Sequence, residues 1–293
     1  MRKINQFGGS WTEDKLNRLR KYLSAYTTIF TKNQKARYYK TVYVDAFAGT
    51  GYRSAYLSVG TIGIFPELEE EDTQKFLKGS AIIALETEPS FNQYLLIERD
   101  PEKVEELQKL KEKFPHKEIK VINEDANIYL KKWCQETDWC HFRAVVFLDP
   151  YGMEVDWSLI EAIGKTQAID LWILFPLGIA VNRLLTHNNL PPPEWERALT
   201  RIFGTEEWKE AFYSHRKEAT LFGEQERYIK DADFDIIGKF FIDRLKTVFY
   251  RVAENPLPLR NSRSIPIYLL CFAAGNPKGA DIAIKIAQHI LGR

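Results

Sequence analysis

Short apolar runs alternate with amphipathic segments over the first 175 residues of the chain. The apolar runs are rich in Val, Ile, Leu and aromatic residues, as in strands that are buried on both faces. The segments between them repeat apolar residues every three or four positions, which is typical of helices. The pattern predicts strands at 41–45, 94–98, 119–122, 144–149 and 168–175. It predicts helices at 12–30, 101–113, 127–134 and 157–165, and a further helix that begins at residue 79. This alternation indicates a mostly parallel sheet with crossover helices on both faces.

The alternation is interrupted twice. Residues 52–77 have no clear period and carry an acidic run, so we interpret them as a surface insertion. After three consecutive prolines at 191–193, only helices are expected until about residue 251, at 194–203, 206–214 and 233–250. A last strand at 265–272 and a last helix at 279–291 return to the first pattern. The domains we predict are an N-terminal helical element (1–40), an α/β domain (41–193 and 261–293) and a helical insert (194–260).

Composition excludes several classes of protein. The 293 residues are 45% hydrophobic and 28% charged, with a net charge of +1, which excludes wholesale disorder and collagen-like repeats. No apolar run approaches the roughly 18 residues that cross a bilayer, so we expect no membrane segment. Three unpaired cysteines favour a reduced, cytoplasmic location. The five histidines are scattered and form no metal-ligand spacing, so we expect no metal site.

The neutral total hides a local asymmetry. Residues 1–40 hold ten Lys or Arg and two acids, a net of +8, whereas residues 64–106 hold twelve acids and four bases, a net of −8. Aromatic residues are interleaved with the bases of the first segment, as in grooves that bind nucleic acid. We favour the simpler interpretation, an amphipathic helix with solvated charges, and keep nucleic-acid binding as the alternative.

Four of the five predicted strands end in an acid or just before one: Asp45, Glu98, Asp125 and Asp149. Ligands of an open parallel sheet bind outside the carboxyl ends of its strands, so these four side chains mark a candidate site. Glu98 could accept hydrogen bonds from both hydroxyls of a ribose. Asp125 could face an adenine amine, and capping the next helix is an equal alternative. Asp100, two residues after Glu98, is expected to cap a helix.

The turn after the first strand favours a cationic ligand. Gly49 and Gly51 let the backbone turn sharply and approach a ligand closely. The dinucleotide fingerprint needs a third glycine where Ser54 stands, and Lys is absent from 41–74, so nicotinamide and ATP lose ground. The carboxylate of Asp45 before the turn suits S-adenosylmethionine, which has an ammonium and a sulfonium.

The tetrapeptide Asp149-Pro-Tyr-Gly152 follows the fourth strand. Methyl transfer to an exocyclic amine needs the nitrogen lone pair aimed at the methyl group, and two acceptors could hold the amine hydrogens: the Asp149 carboxylate and the Pro150 carbonyl. Tyr151 could stack on a flat substrate such as a flipped base. An ordinary strand-ending turn is the alternative, and the neighbouring glycines and Glu98 favour the functional interpretation.

These motifs resemble a known family. Tyr43-Val-Asp-Ala-Phe-Ala-Gly-Thr-Gly51, Leu96-Ile-Glu-Arg-Asp-Pro101 and Phe147-Leu-Asp-Pro-Tyr-Gly152 are similar to motifs of class I S-adenosylmethionine-dependent methyltransferases. Together with Lys15 in the N-terminal helix and the late segment 268–277, they resemble the three-Cys-motif partner (TcmP) family most. The tetrapeptide is also similar to the Asp-Pro-Phe-Gly of tRNA guanine-N2 methyltransferases and the Asp-Pro-Pro-Tyr of adenine-N6 methyltransferases.

The resemblance implies a Rossmann-like class I methyltransferase fold with S-adenosylmethionine as cofactor. It implies a partner protein whose three cysteines, not those of this chain, name the family. The cofactor-binding residues it implies are Asp45, Phe47, Gly49, Gly51, Glu98, Asp125 and Ala126. The catalytic residues it implies are Asp149, Pro150 and Tyr151.

The function we expect is methyl transfer to an exocyclic amine, with a nucleic acid, DNA or RNA, as the favoured substrate. The alternative is a non-catalytic subunit that binds the cofactor and acts as partner or scaffold for the three-Cys-motif protein. Retention of Asp149 and Pro150 beside the cofactor motifs favours the enzyme, because a scaffold needs neither. Methylation of a small molecule or a protein is a third option.

Overall fold

The computed structural model describes residues 10–48, 79–220 and 223–292. The predicted surface insertion 52–77 and the glycines at 49 and 51 lie outside these ranges. The helices are α1 (Ser10–Lys32), α2 (79–85), α3 (Pro101–Lys113), α4 (Ala126–Glu136), α5 (Trp157–Lys165), α6 (Asn182–Leu184), α7 (Pro193–Phe203), α8 (Trp208–Phe212), α9 (Phe234–Lys246) and α10 (Ala280–Leu291). A π-helical turn, Leu177–Val181, leads into α6. The strands are β1 (Lys40–Asp45), β2 (Gln93–Glu98), β3 (Ile119–Asn123), β4 (Phe142–Leu148), β5 (Ile169–Phe175), β6 (Tyr213–Thr220), β7 (Gly223–Lys230), β8 (Arg251–Val252), β9 (Leu257–Arg260) and β10 (Pro266–Ala274).

The main sheet has the order β3-β2-β1-β4-β5-β10-β8, with β9 also paired to β10. Strands β1 to β5 are parallel to their neighbours, and β10 runs antiparallel to β5. The chain moves outward from β1 to β3 and then returns to the other side of β1 with β4. This reversal is the point at which doubly wound sheets open a ligand crevice. The predicted fold class, a mostly parallel sheet flanked by helices, is confirmed.

Helices cover both faces of the sheet, and successive side chains of each strand alternate between two cores. On β4, Val146 belongs to the core shared with α4, α5, α7 and α9, whereas Phe147 belongs to the core shared with α1, α2, α3 and α10. On β1, Val44 and Tyr43 divide in the same way. The side chain of any strand-end residue can therefore be assigned to a face from its position alone.

Helix α1 packs on the second of these faces through one apolar stripe. Leu19, Tyr22, Leu23 and Tyr26 are buried at helical spacing, and Tyr22 packs edge-on against the ring of Trp172 from β5. The helix begins at Ser10, two residues before the start that the sequence pattern predicts. Burial of a four-residue aromatic and aliphatic stripe fixes α1 against the sheet.

The prediction that 194–251 contains only helices is wrong in one place. Helices α7, α8 and α9 are present, but an antiparallel hairpin of β6 and β7 replaces the end of the predicted helix 206–214 and the stretch after it. Helix α8 ends at Phe212, and the backbone of Tyr213 is extended. The hairpin pairs with the chain near Asn189, whose N–H donates to the Tyr228 carbonyl at 2.7 Å. Such long-range backbone pairing leaves no periodic trace in charged strands.

Residues 194–260 also share the main core instead of forming one of their own. The ring of Phe241 on α9 stacks on that of Phe175 at the end of β5, with centroids 4.0 Å apart. Phe203 at the end of α7 packs on the same Phe175 ring at 5.8 Å. Strand β8 and strand β9 both pair with β10 in the main sheet. Deleting this stretch would therefore remove part of the core.

Candidate functional site

Two carboxylates meet at the strand-order reversal. Asp45 is the last residue of β1, and Asp149 directly follows Leu148, the last residue of β4. These strands are neighbours, and Asp45 is in register with Phe147, two residues before Asp149. Because side chains alternate along a strand, both carboxylates lie on the face of Phe147, which α1 covers. The two acids that sequence reasoning placed in the cofactor and catalytic sites are thus adjacent.

One of these two carboxylates, Asp149, contacts a lysine that was not among the predicted site residues. The Lys15 Nζ lies 3.1 Å from Asp149 Oδ1 and 3.1 Å from Oδ2. Both side chains are buried, Lys15 fully and Asp149 with 5% exposure. The ammonium also lies 5.6 Å from the centre of the Phe147 ring, within the range of a cation–π contact.

The sequence contains a signal for this burial. Lys15 lies four residues before Leu19, so it continues the apolar stripe of α1. A lysine on the buried stripe of a helix needs a partner, because an isolated buried ammonium is costly. The signal finds the buried cation but does not identify Asp149 as its partner.

Burial shifts the pKa values of the pair toward each other. Burial lowers the pKa of Lys15 to about 7, although the charge and hydrogen bond of Asp149 and the charge of Asp45 favour the ammonium. Burial raises the pKa of Asp149, and the charge and hydrogen bond of Lys15 oppose the rise. Ionisable groups with shifts of this kind cluster at functional sites.

Asp45 is completely buried and only partly satisfied. Its Oδ2 accepts a hydrogen bond from the Tyr43 hydroxyl at 3.3 Å. Its Oδ1 has no hydrogen-bond partner among the described residues. Burial raises the pKa of Asp45 to about 7, a hydrogen bond from Ser80 opposes the rise, and the negative charge of Asp149 adds to it. An orphaned carboxylate oxygen inside a protein needs an explanation, and a ligand donor is one.

The tetrapeptide after β4 is fixed by contacts on both sides. Pro150 is buried, and the backbone N–H of Tyr151 donates to Glu154 Oε2 at 3.0 Å. The Tyr268 hydroxyl from β10 donates to the Tyr151 carbonyl at 3.4 Å. The side chain of Tyr151 is half-buried. The predicted roles of Pro150 and Tyr151 toward a substrate stay predictions.

Glu98 ends β2 on the same edge of the sheet. Its Oε1 accepts the backbone N–H of Asp100 at 2.8 Å, and Lys103 Nζ lies 4.0 Å from the same oxygen. No described residue hydrogen-bonds its Oε2. The expected capping role of Asp100 is confirmed, because its carboxylate accepts the backbone N–H of Glu102 at 3.0 Å.

Asp125 caps helix α4 at the end of β3. Its Oδ1 accepts the backbone N–H groups of Asn127 at 2.9 Å and Ile128 at 3.2 Å. This confirms the capping alternative and occupies one oxygen, while contact with an adenine amine stays a prediction. Ala126, the first residue of α4, is buried, and Ile128 beside it exposes 60% of its surface. An exposed aliphatic side chain at this edge could cover the face of an adenine ring, and sequence reasoning missed it.

Of the other predicted cofactor residues, Phe47 is half-buried and packs against the core that α4 and α5 share with the sheet. Gly49 and Gly51 lie outside the described residues. In the described ranges no group of three or more potential ligands could hold a metal ion. Within the same ranges, every helix is too short or too polar to cross a membrane. Cys134, Cys140 and Cys271 are free thiols.

Comparisons with known proteins leave the family open. No protein-family model matches the sequence, and no curated protein matches it. The resemblance to the three-Cys-motif partner family therefore rests on the motifs quoted above. Among solved structures, protein LPL1258 from Legionella pneumophila matches with a TM-score of 0.40 and 16% identity, over 82% of this chain and 93% of that chain.

Two further matches bind or use S-adenosylmethionine. An S-adenosylmethionine-dependent methyltransferase from Clostridium acetobutylicum has a TM-score of 0.36 and 9% identity, over 88% of this chain and 92% of that chain. TYW2 from M. jannaschii, solved in complex with AdoMet, has a TM-score of 0.28 and 13% identity, over 77% of this chain and 79% of that chain. These TM-scores and identities are low, so we base the function on the site residues themselves.

Proposed function

We propose that this protein is an S-adenosylmethionine-dependent methyltransferase that acts on an exocyclic amine, with a nucleic acid as the favoured substrate. The observation that carries the proposal is the buried Oδ1 of Asp45 at the sheet's reversal point, to which no described residue donates a hydrogen bond. A carboxylate oxygen in this environment needs a cationic or strongly donating ligand. The ammonium of S-adenosylmethionine supplies both properties.

Other groups along the same edge fit the remaining parts of that cofactor. Glu98 retains one carboxylate oxygen that could accept from ribose hydroxyls. Asp125 retains one oxygen at the end of β3, and Ile128 exposes an apolar surface beside it. When bound, the cofactor supplies an electrophilic methyl group. The chain's own residues have to bind it, exclude water and hold the acceptor nitrogen.

Asp149 is the residue proposed to hold the acceptor. Its carboxylate can accept hydrogens from the amine and leave the lone pair of the nitrogen directed at the methyl group, a contribution of orientation and not of strong base catalysis. The Pro150 carbonyl is the proposed second acceptor, and the Tyr151 ring is the proposed stacking surface. We also propose a cytoplasmic location, which the free thiols favour. The sequence motifs support a three-Cys-motif protein as the partner.

One observation favours the non-catalytic alternative. Lys15 Nζ contacts both oxygens of Asp149, which are the acceptors that a substrate amine would need. If that contact never opens, the chain would bind the cofactor and serve as a partner or scaffold subunit. The two functions therefore predict the same cofactor affinity and different turnover.

Calorimetry with S-adenosylhomocysteine tests the cofactor site directly, because this ligand cannot react. We expect saturable binding by the wild type and a large loss for Asp45→Asn. Absence of binding to folded wild type at millimolar ligand would refute the proposed function.

A second assay separates enzyme from scaffold. The protein is incubated with methyl-tritiated S-adenosylmethionine and total RNA or DNA, with and without the three-Cys-motif protein. Label in nucleic acid from the wild type and not from Asp149→Asn supports the enzyme. Binding without label under both conditions supports the scaffold.

A further inference from the structure

We propose that Lys15 is itself a methyl acceptor, so that the protein methylates its own Lys15 Nζ when it holds S-adenosylmethionine. This inference rests on the proposed function. It starts from the geometry that the proposed reaction requires, an amine nitrogen within hydrogen-bond distance of the Asp149 carboxylate. The nitrogen that the structure places there, 3.1 Å from each oxygen, belongs to Lys15.

This nitrogen lies in a buried cluster and not in an ion pair at the surface. Lys15 is fully buried beneath the reversal point of the sheet, and its Nζ lies 5.6 Å from the Phe147 ring centre. The charge of Asp45, the proposed partner of the cofactor ammonium, acts on the same Nζ. The acceptor nitrogen and the Asp45 carboxylate, which is proposed to bind the cofactor, therefore belong to one cluster.

Methylation requires the neutral form of the Lys15 amine, and burial in the cluster favours that form. The charged and titratable groups that act here are Asp149 from the end of β4, Asp45 and Tyr43 from β1, and Tyr268 from β10. Burial raises the pKa of both tyrosines, so each remains neutral. The pKa of Lys15 at about 7 leaves a large neutral fraction, which an exposed lysine lacks at the same pH.

The reaction balances without any further reactant. A proton of the Lys15 ammonium passes to the Asp149 carboxylate, which leaves a lone pair on Nζ. The N–C bond to the methyl group forms while the S–C bond breaks, and the electrons of the S–C bond stay on sulfur. The products are a singly methylated, positively charged Lys15 and the neutral thioether S-adenosylhomocysteine. Asp149 then releases its proton to solvent, and the methylated cation re-forms the ion pair with the carboxylate.

Lys21 offers a matched comparison within the same molecule. It lies on the same helix, has the same side chain and is exposed. Lys15 Nζ is held against the Asp149 carboxylate in a buried cluster, whereas the exposed Lys21 side chain is not held in place there. Because misplacing a reactant by about 1 Å costs about 10²-fold in rate, we expect methylation of Lys15 to exceed that of Lys21 by at least about 10²-fold.

The test uses the full chain and mass spectrometry. The protein as purified, and after incubation with S-adenosylmethionine, is analysed as an intact chain and then as mapped peptides. We expect the mass of one added methylene per chain, located on Lys15, in the wild type and in Lys21→Arg. We expect no such increase in Lys15→Arg, which keeps a cation beside Asp149.

The controls separate the failure of this inference from that of the proposed function. Saturable binding of S-adenosylhomocysteine with an unmodified Lys15 overturns self-methylation and leaves the proposed function standing. Methyl groups on Lys21 and other exposed lysines at the level of Lys15 also overturn it, because the reaction would then be unspecific. Loss of both cofactor binding and methylation overturns both. The wild-type measurement decides each case even if Lys15→Arg does not fold.

Discussion

Replacing Asp45 by Asn should stabilise the protein near pH 8 while it weakens cofactor binding. The substitution keeps the size of the side chain and removes a buried charge. Burial raises the pKa of Asp45 from 3.8 to about 7. A pKa shift of about three units means that ionisation of Asp45 lowers the free energy of unfolding by about 4 kcal/mol. A site that retains such a cost, with one carboxylate oxygen that no described residue hydrogen-bonds, suits a ligand donor.

The net gain should be smaller than that figure. The new amide N–H groups also lack partners, which costs about 1–3 kcal/mol. We therefore expect Asp45→Asn to raise the free energy of unfolding near pH 8 by about 1–3 kcal/mol. Denaturant unfolding followed by circular dichroism measures this difference, provided that the slope with denaturant is unchanged.

The pH dependence identifies the cause. The folded-state pKa of Asp45 lies above its unfolded value of about 3.9, so the folded state binds more protons between these two values. The stability of the wild type should therefore fall as the pH rises from about 4 to about 7. The advantage of Asp45→Asn should appear over the same window and then level off.

Asp170 provides a matched control at the other end of the sheet. It is the second residue of β5, and its Oδ2 accepts the Tyr22 hydroxyl at 2.7 Å. Burial raises its pKa to about 7 as well, so Asp170→Asn should show a similar pH-dependent stabilisation. The Asp170→Asn variant should bind S-adenosylhomocysteine as tightly as the wild type. The affinity of Asp45→Asn should be about 10- to 100-fold lower, because it loses a charged hydrogen bond.

Two results would refute this reasoning. A lower stability of Asp45→Asn near pH 8, or a stability difference that does not change with pH, would mean that Asp45 carries no ionisation cost. Equal loss of cofactor affinity in Asp45→Asn and Asp170→Asn would mean that the effect is general and that Asp45 has no direct part in binding.

Three other predictions concern the tetrapeptide and one close backbone contact. Asp149→Asn should lower the single-turnover rate of methyl transfer about 10²-fold with unchanged affinity for S-adenosylhomocysteine; lost affinity would assign Asp149 to the cofactor site. Tyr151→Ala should weaken substrate binding by about 1–3 kcal/mol and Tyr151→Phe should not, as measured by competition binding, whereas equal effects would exclude stacking. Gly178→Ala should destabilise the protein by about 1–3 kcal/mol in thermal unfolding, because its Cβ would collide with the Pro266 carbonyl oxygen; an unchanged melting temperature would contradict this packing.

The sheet could be predicted because its strands are buried on both faces. A run such as Ala144 to Leu148 is apolar at every position, and its burial does not depend on distant sequence. Asp45, Glu98 and Asp149 followed from the rule that ligands bind at the carboxyl ends of such strands. The hairpin of β6 and β7 was missed because backbone pairing with residues near 188 stabilises it, and pairing of this kind has no local signature.

The site is the place where sequence reasoning was least complete. Strand ends identify acids, but the partner of Asp149 comes from a helix 134 residues earlier in the chain. Only the packing of α1 across the sheet brings the two together. A site assembled from one strand end and one distant helix requires the tertiary structure before its charges can be paired.

Helix α1 therefore connects the two interpretations of the basic N-terminal segment. Its exposed face carries Arg20 and Lys21, which are available to solvent or to the phosphates of a nucleic acid, whereas its buried stripe carries Lys15 into the site. A substrate amine can reach both oxygens of Asp149 only if the Lys15 side chain moves away, and a shift of α1 would move it. Binding of a polyanion to the exposed face of the helix is one physical means of shifting it. If methyl transfer to nucleic acid occurs, its rate should therefore depend on α1 as much as on the tetrapeptide that holds the acceptor.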